Sequence, residues 1–408
     1  MKKIKFLLFI SLLLFGIGSC KRDVMEPISK DGNAPGPIKN PTVENLAGAA
    51  KITYLLPSDE NLLYIKAEYE VNGVKREAKS SFYKKSIVVD GFGDSTEHTV
   101  TLYAVSRAEI ASTPVQVTIN PLTPSFIKVR KSLTVAPSFG GFVAKFVNED
   151  LANVVIVALL WDDSQQEWKQ IDADYTTTTK ADSAFKVRGL QPVLQKFGLF
   201  VRDRWGNLSD TLNFELTPIP EVQLDHTKFA DIRKKFPIPQ VAPLPASGLP
   251  MKEAVDYSGS YPMKNLYDGN TTSMFHTKQN YDQPIWIPID LGVKAKFSRY
   301  KIWQRTGSFY YSHGNPHEWE IWGTNTPNDV NSWVKLDHEI MIKPSGLPIG
   351  QNSNEDIDVA NAGQEYEFPE NAPAVRYIAW KAIDCWGAIE GQTGFFHLFE
   401  LSIWGQVQ

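Results

Sequence analysis

The sequence predicts an all-β chain: two tandem sandwiches followed by a third, aromatic-rich β domain. Three observations carry this reading. Apolar residues alternate with period two over short runs, as at 98–105 and 115–119, the pattern of a half-buried strand. The tripeptide Leu-Thr-Pro recurs at 122–124 and 216–218, 94 residues apart, and a spacing near ~100 residues with turn signals every ~8–12 suits a seven-stranded sandwich. Beyond residue 225 lie eight of the eleven Trp and six of the seven His, so recognition chemistry concentrates in the C-terminal part.

Composition bounds the function. A length of 408 residues predicts two to four domains at about 100–200 residues each. Hydrophobic content of 42% and charged content of 22% match soluble globular chains and exclude a disordered or coiled-coil one. With 42 Lys+Arg against 46 Asp+Glu, no excess of base exists to neutralise phosphates, so nucleic acid is excluded as a partner. Two cysteines build neither a disulfide framework nor a four-thiolate zinc site.

The N-terminus reads as an export signal. Lys2, Lys3 and Lys5 flank an apolar run that ends in Gly16-Ile17-Gly18-Ser19-Cys20, too short for the ~20 residues of a membrane helix. Ile17-Gly18-Ser19-Cys20 resembles the lipobox of bacterial lipoproteins, which implies cleavage after residue 19 and a lipid on the Cys20 thiol. The chain is then held to the membrane by that anchor only. Losing three lysines and no acid takes the net charge from −4 to −7. Cys385 is left without a disulfide partner, so stability must come from packed cores. Residues 20–41, with Pro27, Pro35, Pro37 and Pro41, read as an extended tether.

The first sandwich is placed at 42–123 and the second at 124–220. Each closes on a hairpin: 98–105 returning at 115–119, and 197–201 turning through Asp203-Arg204-Trp205-Gly206-Asn207 to return at 211–216. Gly189-Leu190-Gln191-Pro192 followed by Phe197 resembles the corner of fibronectin type III modules. His98 and Phe197 stand where that family carries a tyrosine. Such modules imply spacers or protein-contact surfaces, and no catalytic constellation is visible in them. Pro237, Pro239, Pro243, Pro245 and Pro250 exclude a helix or central strand and mark 221–253 as a linker or wrapping segment.

The third domain is placed at 254–408. Its strands show as Ile285, Ile287, Ile289 and Leu291 on one face, Tyr300 with Ile302, Trp319 with Ile321, and His397, Phe399, Leu401 and Ile403. The series Leu266-Tyr267-Asp268-Gly269-Asn270, Ser273-Met274-Phe275-His276-Thr277, Trp286-Ile287-Pro288-Ile289-Asp290-Leu291-Gly292, Trp319-Glu320-Ile321-Trp322-Gly323-Thr324, Trp333-Val334-Lys335-Leu336, Arg376-Tyr377-Ile378 and Phe399-Glu400-Leu401-Ser402-Ile403-Trp404-Gly405 resembles the coagulation factor 5/8 type C, or discoidin, domain. That galactose-binding-like family includes the family 32 carbohydrate-binding modules. The resemblance implies a β jelly roll with ligands on loops at one end and a structural calcium nearby.

Carried over, the calcium set is Asp268, Asn270, Ser273 and Glu400, hard oxygens of the kind Ca2+ takes. Ser273 and Phe275 replace the family's usual Thr and Trp. For glycans, flat apolar faces and fixed polar groups are required. The segments 305–315 and 384–392 supply both, and the candidate residues are Arg305, Tyr310, Tyr311, His313 and Trp386. His276 and His317 read as settling turns.

No nucleophile elbow, phosphate loop, His-Glu-x-x-His or dinucleotide motif is present, so the chain reads as a non-enzyme. The leading expectation is a lipid-anchored protein on the cell surface, at the outer membrane, that captures polysaccharide or oligosaccharide through the C-terminal loops. Its domain order resembles lipoproteins of polysaccharide-utilisation systems, which implies a neighbouring surface importer or hydrolase complex. A protein-contact or adhesion module is the alternative, followed by an uncharacterised glycan hydrolase.

Overall fold

The computed structural model describes residues 32–176, 182–240, 252–279, 284–389 and 394–408. The export signal at 1–19, Cys20, the tether up to residue 31, Pro243, Pro245 and Pro250, and Glu390-Gly391-Gln392 lie outside the described residues. The chain folds as two compact units. One takes the residues up to Thr134 with Lys145–Ala184 and Gly198–Asn213; the other takes Val135–Ala144, Phe185–Phe197 and Phe214–Gln408.

The first unit opens with seven strands: β1 (Lys39–Leu46), β2 (Ala49–Leu55), β3 (Leu62–Val71), β4 (Val74–Ser81), β5 (Ser86–Asp90), β6 (His98–Ser106) and β7 (Val115–Ile119). They form a three-stranded sheet, β1-β2-β5, and a four-stranded one, β4-β3-β6-β7. Alternation dictates the packing. In β3, Ile65, Ala67, Tyr69 and Val71 are buried while Glu68 and Glu70 face solvent. The inward set joins Ile52, Tyr54, Val89, Val100 and Leu102 in one core.

A feature absent from the sequence expectation follows Pro124. The helix α1 (Ser125–Ser132) buries Phe126 and Val129; eight residues are too few for helical periodicity to stand out. Beyond it come β8 (Thr134–Ser138), β9 (Gly141–Val147), β10 (Val154–Asp162), β11 (Glu167–Thr176), β12 (Asp182–Val187), β13 (Gln195–Asp203) and β14 (Leu212–Leu216). These make the sheets β11-β10-β13-β14 and β12-β9-β8.

The turn after β13 docks on the first sandwich. Asn207 Nδ2 donates to the Gly91 carbonyl at 2.9 Å, Arg204 pairs with Asp90, and the Trp205 ring lies so close to Gly91 that an added Cβ would come within 2.8 Å of it.

The second unit is built on a nine-stranded sheet. Its elements are β15 (Val222–Gln223), β16 (Ala230–Asp231), β17 (Lys252–Glu253), β18 (Phe275–His276), β19 (Ile285–Trp303), β20 (Pro316–Thr324), β21 (Val334–Ile340), α2 (Asn354–Ala362), β22 (Gln364–Glu367), β23 (Val375–Cys385), α3 (Trp386–Ile389), β24 (His397–Leu398) and β25 (Glu400–Val407). The sheet runs β15-β25-β19-β23-β20-β21, with β16, β17 and β22 also on β19. The described part of the 221–253 segment thus lies along the domain as short strands.

The strand β19 turns the corner of the jelly roll. Its first half pairs with β23 and its second half with β25. Gly292 sits between the halves at φ 70°, and an added Cβ there would stand 2.7 Å from the Lys228 carbonyl. Both conditions select glycine.

Inside, Trp319 and Trp380 stack at 5.0 Å. The Trp319 indole N–H donates to the Tyr300 hydroxyl at 2.9 Å, which donates to Asp337 Oδ2 at 2.8 Å. A buried polar chain of this kind is stable because each member is satisfied. The helix α2 begins with a capping box: Ser353 accepts from the Asp356 backbone, and Asp356 accepts from the Ser353 backbone. Burial opposes ionisation of Asp356, yet hydrogen bonds from Ser345 and Ser353 bring its carboxyl down to about 2.

Candidate functional site

The loop joining β19 to β20 is fixed from below by two buried amides, Gln304 and Asn315. Asn315 Oδ1 accepts from the Arg305 backbone at 2.8 Å. Its Nδ2 faces the carbonyls of Arg305 at 3.0 Å and Phe309 at 2.6 Å and Gln304 Oε1 at 3.2 Å. Gln304 Oε1 also accepts from the Tyr311 backbone. These bonds hold Tyr311 and His313 at positive φ, 46° and 54°, a conformation that persists only where the surroundings impose it.

Backbone hydrogen bonds tie neighbouring segments to this loop. The N–H groups of Trp386 and Gly387 donate to the Asn315 and His313 carbonyls, and that of His397 to Gly314. The short pair β18–β24 sets Phe275 opposite Leu398 and His276 opposite His397, and the Tyr257 N–H donates to the His276 carbonyl. Segments around residues 257, 276, 305–315 and 395–397 therefore meet at one end of the domain.

Rings and cations converge there. The Arg305 guanidinium lies 3.4 Å from the Phe309 ring centroid, and Phe309 meets His313 edge-on at 5.0 Å. His276 stacks on Phe395 at 5.3 Å, with Tyr257 at 5.0 Å and His397 at 5.4 Å. Tyr257 is 49% exposed, and Arg305, Phe309 and His313 are half-buried, so the group opens to solvent. His397 is its floor, fully buried, with neither ring nitrogen hydrogen-bonded.

Electrostatics follow from this packing. Burial pushes the Arg305 pKa down, with Tyr261 partly opposing. Burial also lowers His276. His397 is held well below the usual imidazole range, first by burial and then by His276, Arg305 and His313. An unfolded histidine takes up its proton near pH ~6.5, and folded His397 refuses it. Stability is therefore complete above that pH and falls on acidification, by about 1.4 kcal/mol per pH unit for this group. Urea midpoints at successive pH values, read by Trp fluorescence, should decline toward pH 5 and decline less in His397→Phe. Equal slopes in the two proteins would remove His397 as the cause.

Of the residues expected from sequence, Arg305 and His313 stand in this cluster. Tyr310 turns toward α2, its hydroxyl donating to Asn361 Oδ1 at 3.0 Å. Tyr311 and Trp386 face inward, buried and packed edge-on at 5.6 Å, so they brace the loop and present no open face. His276, set aside as a turn residue, lies at the centre. Tyr257, Phe309, Phe395 and His397 were also not singled out as site residues. The concentration of histidines beyond residue 225 was the one signal for part of this set.

The expected calcium residues share one turn, with Glu400 beside it. Asp268 accepts from the Asn270 backbone and from the Ser273 hydroxyl, while Asn270 Oδ1 accepts from Thr272. Glu400 accepts from the Gly269 backbone. His226 Nδ1 lies 3.1 Å from Glu400 Oε1, within ion-pair distance though off line for a hydrogen bond. Apart from Glu400 Oε1, the side-chain oxygens of this set are engaged within the turn, which leaves few free for the 6–8 ligands that Ca2+ takes. The melting temperature should be the same with calcium and with chelator; a rise with calcium would restore the ion to this turn, since a ligand of the native state must stabilise it.

Three family models match the chain. Each is described as a domain of unknown function, and they cover residues 35–121, 122–227 and 263–405. No curated protein matches. Among solved structures the chain is similar to a SusE-like protein, at 27% identity over 70% of this chain and 100% of that one, TM-score 0.42. It is similar to a family 32 carbohydrate-binding module from C. perfringens solved with galactose, at 18% identity over 45% and 98%, TM-score 0.30. A two-domain fibronectin type III segment of chicken tenascin matches at 13% identity over 44% and 99%, TM-score 0.22. Both families whose likeness the sequence carries are represented among these structures.

Proposed function

We propose that the chain is a non-catalytic glycan-binding protein of the cell surface, anchored through Cys20 at the outer membrane, that holds saccharide at the loop end of its C-terminal jelly roll. The carrying observation is the convergence of Tyr257, Arg305, Phe309 and His313 from distant parts of the sequence onto one solvent-facing cluster, over the buried rings of His276 and Phe395. Aromatic rings offer faces for the C–H surfaces of a sugar, and Arg and His offer donors for its oxygens. A glycosidase needs two carboxyl groups flanking the bond it breaks, and among the described residues this cluster has none. Captured polymer would pass to a neighbouring importer or hydrolase.

Affinity electrophoresis of the full chain through a panel of polysaccharides tests the reading. Retardation on at least one glycan is expected, with a loss of tenfold or more in Arg305→Ala/Phe309→Ala. No retardation on any glycan by a protein with native Trp fluorescence would refute it, and shortening of the polymer would show an enzyme instead.

A further inference from the structure

The cluster is one-sided in charge. Among the described residues, four of the five other half-buried arginines have carboxylates, Arg76 being the exception: Arg130 pairs with Asp210, Arg188 with Glu221 and Glu367, Arg233 with Asp231 and Asp256, and Arg299 with Glu221 and Glu365. Arg305 is half-buried like these, and among the described residues it has no carboxylate partner within 4.0 Å. Its guanidinium lies over the Phe309 ring. The ionisable groups that interact with it electrostatically include His276, His397 and Tyr261, and His313 packs on the same Phe309 ring.

Partial burial of a cation without a counter-charge is costly, and the depressed Arg305 pKa records that cost. The arginine is held in place all the same. Asn315 bonds its backbone on both sides, and Phe309 covers one face of the guanidinium. The planar edge of that group matches a carboxylate or sulfate with two parallel N–H bonds.

We propose that the glycan bound here is acidic, with its anionic group, a uronate carboxylate or a sulfate ester, pairing with Arg305 while His313 faces the sugar's oxygens. The proposal rests on the glycan-binding reading and narrows it to a substrate class. An acidic sugar supplies the charge that the protein leaves out.

The test compares one backbone in two forms: polygalacturonate and the same polymer after carboxyl reduction, with a sulfated galactan and its desulfated form as a second pair. Binding of the full chain is measured by affinity electrophoresis and calorimetry at low and high salt. At least tenfold tighter binding to an anionic member than to its neutral twin is expected, weakening with salt. Arg305→Gln should remove the preference, with Arg305→Lys keeping part of it. Which pair shows the preference assigns the anion. Equal binding of charged and neutral twins would overturn the acidic class and leave glycan binding standing. Failure to bind any glycan would overturn both. Salt dependence of the unaltered chain provides a readout even if the variants fold poorly.

Discussion

Asn315→Leu should abolish glycan retention although Asn315 is fully buried and touches no solvent. Leucine keeps the volume and removes every side-chain hydrogen bond. The Arg305 N–H and the carbonyls of Arg305 and Phe309 then lose partners inside the protein, and each buried group left unsatisfied costs about 1–3 kcal/mol. A combined loss of about 4 kcal/mol is expected. The loop that holds Tyr311 and His313 at positive φ is then left with only the Gln304 bond and its backbone contacts to impose that conformation, and Arg305 loses the bonds that fix its backbone beside Phe309. The readout is twofold: a melting transition lowered by several degrees, and binding reduced by two orders of magnitude or more. Retention equal to the unaltered protein would show that the loop is ordered by other means.

Trp380→Ala should be the most damaging change to the jelly roll itself. The ring is 1% exposed, stacks on Trp319, and meets Tyr300 edge-on at 6.2 Å and Phe396 at 5.9 Å. Truncation of a buried aromatic costs about 3–5 kcal/mol through lost burial and the cavity left behind. The hole would border the Trp319–Tyr300–Asp337 chain. Burial already pushes the Asp337 carboxyl up, so any shift of Tyr300 leaves that group with poorer compensation. Denaturant titration followed at the Trp emission of this domain checks the value, and a loss below about 1 kcal/mol would mean that the core refills the space.

Much of the architecture is legible in the residues because strands bury one face. The inward side of β3 and β6 shows directly as alternation, and the ordered segments of the C-terminal domain mark its strands. The long strand β19 is less legible. Residues 285–291 and 300–302 read as separate strands because the inward set passes from odd positions, up to Phe297, to even ones, Tyr300 and Ile302, at an irregularity between Phe297 and Arg299. The helices α1 and α2 escape because eight or nine residues bury only two side chains each.

The site was half-visible for a related reason. Arg305 and His313 lie in one loop, and the chemistry of that loop can be read where it stands. His276 and Phe395 join them through the two-residue pairing of β18 with β24, which leaves no periodicity to detect. Trp386 and Tyr311 misdirect, since aromatics in a glycine-rich loop look like a binding platform until the fold shows them filling its base.

The bend of β19 also bears on mechanics. On the proposed function, a polymer held at the loop end would pull on the protein whenever it drifts or is drawn elsewhere, and part of that load would enter the fold through Trp303. Directly behind Trp303, the strand is bonded on one side to β25 over Ala295–Trp303 and on the other to β22 over Arg299–Ile302. Beyond the bend at Gly292 it continues into β23. A tug along this strand must shear several ladders together instead of peeling one edge, so the geometry that turns the corner of the barrel also makes it an anchorage for a moving ligand.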